Sequence, residues 1–167
     1  MGSSPSVSET VVHPLEPVWD CHSRVLILGT MPSPKSREEG FYYGHPRNRF
    51  WPVLAAVFGE EVPMGTEARR SFCLRHGIAL WDVLASCEIR GAEDASIRNA
   101  MPNPIESLLE NAPIGMVCTT GKKAGALYEK LCLPRTHMKA VSLPSTSPAN
   151  CACSLEQLVQ AYSVLRP

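Results

Sequence analysis

Arg24-Val25-Leu26-Ile27-Leu28-Gly29, followed at once by Thr30-Met31-Pro32, is the stretch on which the fold turns. Val25 to Leu28 is an unbroken apolar run without polar alternation, too short for a helix and closed by glycine. That pattern predicts a strand buried on both faces, as in a parallel sheet. Pro32, Ser33 and Pro34 then predict a loop that runs to about Asn48. Beyond it, Phe50, Val53, Leu54 and Val57 recur at helical spacing between Arg49 and Phe58, and Gly59 follows as a stop.

Outward from this core the pattern keeps alternating. A helix is expected from Thr66 to His76, with Thr66 as its N-cap, and then a strand or its approach over 78–84. Asn103 or Pro104 opens another helix through Leu109, and a strand follows over 115–120. A helix over 121–131, a strand over 138–143 and a helix over 154–165, capped by Ser154, complete the chain. Strands alternating with helices imply an α/β fold of three layers, α/β/α, around a central four-stranded parallel sheet. Residues 24–167 read as one domain, and 1–23, which lack sustained periodicity, as an irregular N-terminal arm. In such sheets ligands sit beyond the carboxyl ends of the strands. The loops over 29–48 and 143–150 emerge there.

Composition narrows the function. No apolar run approaches the length that crosses a bilayer, and the serine-rich start lacks the basic-then-apolar order of a secretory signal. The chain therefore reads as a cytoplasmic monomer without a membrane partner, nucleoid-associated if bacterial. Of its seven cysteines only Cys151 and Cys153 stand close together. A zinc or iron–sulfur site needs a second clustered pair, so no metal is expected. Formal net charge is zero, but it is unevenly spread. Residues 24–49 hold five bases and two acids, residues 50–112 five bases and nine acids, and residues 113–150 five bases and one acid. Two basic segments that met in the fold would present one positive face to nucleic acid; on opposite sides they would be ordinary solvated surface. Thr120-Gly121-Lys122-Lys123 opens a helix after a strand without the spaced glycines of a P-loop, so no nucleotide cofactor is expected. A helix N-terminus carrying Lys122 and Lys123 does suit a DNA phosphate.

Gly29-Thr30-Met31-Pro32, with Gly40-Phe41-Tyr42-Tyr43-Gly44-His45-Pro46-Arg47-Asn48-Arg49-Phe50-Trp51 after it, resembles the first motif region of the uracil-DNA glycosylase superfamily. Leu143-Pro144-Ser145-Thr146-Ser147-Pro148 resembles its second motif, the loop that enters the minor groove. With Pro34-Lys35-Ser36-Arg37-Glu38-Glu39 and Trp81-Asp82-Val83 added, the chain looks most like the hypoxanthine-DNA glycosylase branch, which is related to the mismatch-specific uracil/thymine glycosylases. The resemblance covers roughly 24–165 and implies a glycosylase that hydrolyses the N-glycosidic bond of deaminated bases in damaged DNA. Hypoxanthine is the expected base, with uracil as a second. One position departs. The mismatch-specific relatives carry a water-positioning asparagine where this chain has Met31, and the hypoxanthine branch relies on the asparagine that matches Asn48.

The residue types suit such chemistry. A base inside the duplex has to be extruded into a pocket, for which Gly29, Thr30, Met31, Pro32 and Tyr43 are the candidates. The resemblance places Tyr43 against the flipped base as a stacking ring, and the alternative for Tyr42 and Tyr43 is loop packing. The Asn48 amide can donate to the departing base, where negative charge develops, and one such donor is worth about 3 kcal/mol. Its alternative is a helix N-cap, since it stands just before the helix at Phe50. Both hold only if the cap leaves part of the amide free. Ser145, Thr146 and Ser147 are short hydroxyls suited to phosphate contacts, beside Lys35, Lys122 and Lys123. His45 reads as a turn residue rather than a base. Asp82 could orient water or cap a turn. The rival functions are a uracil or mismatch-thymine glycosylase and a non-catalytic module that senses lesions.

Overall fold

A computed structural model describes residues 8–91 and 93–167. The chain begins with β1 (Glu9–Val12) and β2 (Val25–Gly29), then three helices, α1 (Pro34–Glu39), α2 (Phe50–Phe58) and α3 (Thr66–Arg75). β3 (Ile78–Asp82), β4 (Leu84–Ile89) and β5 (Arg98–Pro102) follow, and α4 (Ile105–Asn111) leads to β6 (Met116–Thr120). α5 (Lys122–Leu131), the short α6 (Leu133–Thr136), β7 (Ala140–Leu143) and α7 (Leu155–Tyr162) end the fold.

The four-stranded sheet has the order β3-β2-β6-β7, and every neighbour in it is parallel. All of β2 is buried, as its unbroken apolar run demands. Its side chains alternate between two cores. Val25 and Ile27 join Phe50, Val53 and Leu54 of α2, Phe72 of α3, and Leu158 and Tyr162 of α7. Leu26 and Leu28 point the other way, toward Ile105 and Leu108 of α4, Leu127 and Tyr128 of α5, and Val11, Cys87 and Ile89. Helices thus cover both faces, giving the three-layer α/β/α arrangement around a parallel sheet.

The second core includes an element that periodicity did not reveal. β1, β4 and β5 form a three-stranded antiparallel sheet in the order β1-β4-β5. In β4 the buried positions are Leu84, Cys87 and Ile89, with register shifts against β5, so the period of two is broken and the strand is hard to see. β1 lies inside the stretch read as an irregular arm. Residues 9–12 pair with 86–89, and Val18 bridges Leu80. Residues 1–7 of that arm lie outside the described residues.

Two other expectations shift. The stretch read as a loop up to Asn48 contains α1, with Ser33 as N-cap and Gly40 as C-cap at φ 79°. Pro34 acts there not as a breaker but as a first-turn residue, where its missing N–H and fixed φ cost nothing. Thr66 is the first residue of α3, and Gly65 is the cap without a side-chain bond. Ser154 caps α7 as expected, in a reciprocal capping box with Gln157. Among the described residues, no helix is long and apolar enough to cross a membrane.

Register places the site. Gly29 is opposite Asp82, Leu28 opposite Thr119, and Thr120 opposite Leu143, so four strand ends stand side by side.

Candidate active site

A cavity of about 170 Å³ opens over these strand ends. It is lined by Gly29, Thr30, Met31 and Pro32 after β2, and by Tyr42, Tyr43 and Asn48 ahead of α2. Asp82 and Thr120 end β3 and β6, and the loop after β7 supplies Ser145, Thr146 and Ser147. Ser33, Ser36, Ile89, Gly91 and Asp94 complete the wall. The pocket residues expected from sequence therefore converge on one place.

Asn48 takes up the helix-capping position. Its Oδ1 accepts the backbone N–H of Phe50 at 2.9 Å and the hydroxyl of Thr146 at 2.8 Å. A backbone N–H can only donate, so the atom facing it is the oxygen and the amide orientation is determined. The cap thus consumes Oδ1 alone. Among the described residues, no hydrogen bond takes up Nδ2 of Asn48, whose side chain lines the cavity. Arg49 reinforces the arrangement from the next position. Its guanidinium donates to the carbonyls of Cys153 and Asn150 at 2.6 and 2.9 Å, and its N–H to that of Thr146 at 3.1 Å. The Tyr162 hydroxyl donates to Pro144 O at 2.6 Å. The second-motif loop is thereby tied to α2 and α7.

Thr146 does not fit the expectation of a phosphate contact. It is 2% exposed and its hydroxyl hydrogen is spent on Asn48, so it orients the amide rather than meeting DNA. Ser145 and Ser147 keep partial exposure on the same loop. Their hydroxyl oxygens accept the N–H groups of Ser147 and Ala149, which leaves their own hydrogens available.

Tyr43 sits deeper than a simple stacking platform. Its ring lies on Phe50, centroids 3.7 Å apart and planes nearly parallel, so one face is already covered. Its backbone is left-handed, φ 53°, an uncommon conformation for an aromatic residue that turns the ring inward. Among the described residues its hydroxyl is buried without a hydrogen-bond partner of good geometry, with the Thr120 hydroxyl near it. Burial, and then the nearby Asp82 carboxylate, hold that phenol well above its ordinary pKa. Tyr42 follows the packing alternative. It is buried in the core, with its hydroxyl on Glu16 O at 3.0 Å.

Asp82 neither caps a turn nor stands in solvent. Its Oδ2 meets His13 Nε2 at 2.8 Å, with both side chains almost fully buried. His13 was missed, and no local signal announces a partner 69 positions away. Close approach explains Gly29 beside them. A Cβ there would fall 2.5 Å from Asp82 Oδ1 and 3.4 Å from the Tyr43 hydroxyl oxygen. His45 makes a turn, its Nδ1 accepting the N–H of Arg47 at 3.0 Å. Met31 supplies apolar wall, packed in part against the second core.

The lysines lie outside the lining. Lys35 is 3.9 and 3.7 Å from the carboxylates of Glu38 and Glu39 on its own helix, which offset its charge. Lys122 and Lys123 open α5 directly after Gly121, where an added Cβ would meet Ser145 at 3.4 Å. The positive end of α5 thus abuts the Ser145 loop. Lys123 also acts on Asp94 at the cavity wall. Desolvation raises the Asp94 pKa and the lysine partly offsets this. Among the described residues, no cluster of three His, Cys, Asp or Glu side chains is placed to hold a metal.

A family model, the uracil DNA glycosylase superfamily, matches residues 17–166. The chain is 35% identical over 135 residues to a hypoxanthine DNA glycosylase of Methanosarcina acetivorans, covering 80% of this chain and 84% of that one. It is 36% identical over 117 residues to the enzyme of the same name from Methanosarcina barkeri, covering 69% and 73%. A solution NMR structure of a candidate uracil DNA glycosylase from Methanosarcina acetivorans superposes with a TM-score of 0.76 at 31% identity, over 90% of this chain and 96% of the other.

Proposed function

Given that the chain belongs to the uracil DNA glycosylase superfamily, we propose that it is a monofunctional DNA glycosylase for deaminated bases, with hypoxanthine as its principal substrate. The observation that carries this reading is the Asn48 amide, clamped through Oδ1 and, among the described residues, free at Nδ2 in a cavity over the strand ends. The hypoxanthine glycosylase relatives support the choice of base.

The chemistry follows from that geometry. The flipped nucleotide enters the cavity, and the bond between its C1′ and the base nitrogen breaks with both electrons leaving on the base. Water adds its oxygen to C1′ and loses a proton, and an abasic site remains. Negative charge grows on the base carbonyl side as the bond lengthens. A preorganised Nδ2 donor stabilises that change without having to reorient, because Thr146 and Phe50 already hold the amide. No lysine lines the cavity among the described residues, which supports direct hydrolysis over an imine route. Met31 leaves the water-positioning role of its counterpart unfilled by a polar side chain. DNA would approach over Ser145, Ser147, Lys122 and Lys123, with phosphates near the start of α5. We infer that the protein acts as a cytoplasmic monomer on this DNA.

The test is cleavage of end-labelled duplexes carrying hypoxanthine, uracil or a G·T mismatch, each treated with alkali to cut abasic sites. Hypoxanthine excision that persists in the presence of a chelator is the expected result. Activity only on uracil or the mismatch would select the nearest rival. Binding without cleavage of any duplex would select the lesion-sensing module.

A further inference from the structure

His13 lies ahead of the region that the family model matches, yet its side chain bonds Asp82, which lines the cavity. Its Nδ1 accepts the backbone N–H of Leu15 at 3.2 Å. That leaves the ring proton on Nε2, which donates to Asp82 Oδ2 at 2.8 Å. Held from both ring nitrogens, the histidine fixes the position of the carboxylate. With Oδ2 taken, Asp82 turns Oδ1 toward Gly29, close to the position where a Cβ would stand. The Tyr43 hydroxyl borders the same point, buried and, among the described residues, without a partner of good geometry.

A buried hydroxyl without a partner among the described residues, beside a carboxylate oxygen, is costly unless something completes it. Together they make an acceptor next to a donor. The complementary edge is an N–H adjacent to a carbonyl, which is the lactam edge of a 6-oxopurine. An aminopurine presents a ring-nitrogen lone pair in place of that N–H, and the Asp82 oxygen repels it.

We propose that His13 is a positioning residue that fixes Asp82, so that Asp82 Oδ1 and the Tyr43 hydroxyl read the N1–H and 6-oxo groups of a flipped deaminated purine. This rests on the glycosylase reading above. It makes the N-terminal segment that carries β1 part of the site rather than an appendage, since β1 pairing with β4 delivers His13. It also gives a physical reason for glycine at position 29, where any side chain would displace the carboxylate. Sites built to hydrogen-bond a substrate N–H reject analogues lacking it by factors on the order of 10⁴.

The test compares single-turnover excision from duplexes containing deoxyinosine and 1-deaza-deoxyinosine, in which C–H replaces N1–H at equal size. The parent protein prefers deoxyinosine. His13→Ala lowers the deoxyinosine rate about 10–100-fold, the loss of one charge-assisted bond, and changes the deaza rate less than about threefold. His13→Gln, which retains an N–H donor, recovers much of the discrimination. Should His13→Ala not fold, Asp82→Asn carries the test: the His13 N–H holds the amide oxygen and turns the NH₂ toward the base, so the acceptor for N1–H is lost and the deoxyinosine rate falls more than the deaza rate. Equal losses on both substrates, or no loss on either, overturn the proposal while leaving the glycosylase reading intact. Absence of hypoxanthine excision by the parent protein overturns both.

Discussion

Replacing Asn48 by aspartate separates catalysis from capping. In the structure Oδ1 carries both structural bonds, to Phe50 N at 2.9 Å and to the Thr146 hydroxyl at 2.8 Å. A carboxylate keeps both, and aspartate caps helices about as well as asparagine. What disappears is the Nδ2 donor, and a negative charge takes its place beside the oxygen on which charge develops. Loss of one preorganised donor corresponds to a rate fall on the order of 10²–10³, and the added repulsion deepens it. Stability changes little. Asn48→Ala behaves differently, because it loses the cap, about 1 kcal/mol, and strands the hydroxyl of buried Thr146 for about 1–3 kcal/mol more. At roughly 2–4 °C per kcal/mol for a domain of this size, its Tm drops by several degrees. Single-turnover excision on an inosine duplex and thermal unfolding of both variants give the comparison. An Asn48→Asp protein that excises at close to the parental rate would refute the reasoning, and Asn48 would then be a helix cap only.

Two further outcomes follow from the same geometry. Thr146→Val removes the hydroxyl that orients the amide, so excision falls about 5–10-fold, and Thr146→Ser restores it; an unchanged Thr146→Val rate, measured in single turnover, removes Thr146 from that role. Lys122→Ala combined with Lys123→Ala weakens DNA binding and flattens the dependence of log K on log salt by about one unit for each phosphate no longer neutralised, as read from binding isotherms at several salt concentrations. The same slope in the double variant would place α5 away from the DNA path.

Much of this protein is local in origin. Val25 to Leu28 form a strand buried on both faces because every side chain there is apolar, and the helices at Phe50 and Lys122 follow from spacing and from the glycines beside them. The motif around Asn48 likewise marked the cavity, since the peptide that carries Gly29 to Pro32 and Tyr43 to Asn48 enters and leaves a single strand end. Where local signals were mixed, the reading failed. Pro34 looked like a breaker although Ser33 and Gly40 cap a helix around it, and β4 hid behind a bulge that breaks its alternation.

The roles of individual groups were decided only by tertiary structure. Sequence shows that Asn48 can cap or donate, but the two bonds to one oxygen, one from 98 positions away, show that it caps with Oδ1 and, among the described residues, leaves Nδ2 without a partner. Lys35 counts as a positive charge in the chain and is offset in the fold by Glu38 and Glu39. Thr146 reads as a surface hydroxyl and turns out to be interior. His13 and Asp82 have no detectable relation in sequence, because hydrogen bonds between side chains depend on positions brought together by sheet pairing, and periodicity reports only which face a residue occupies. Lining residues such as Gly29 to Pro32, Tyr43 and Asn48 were therefore legible from the chain, whereas His13 and the direction in which each polar atom points emerge only in the folded protein.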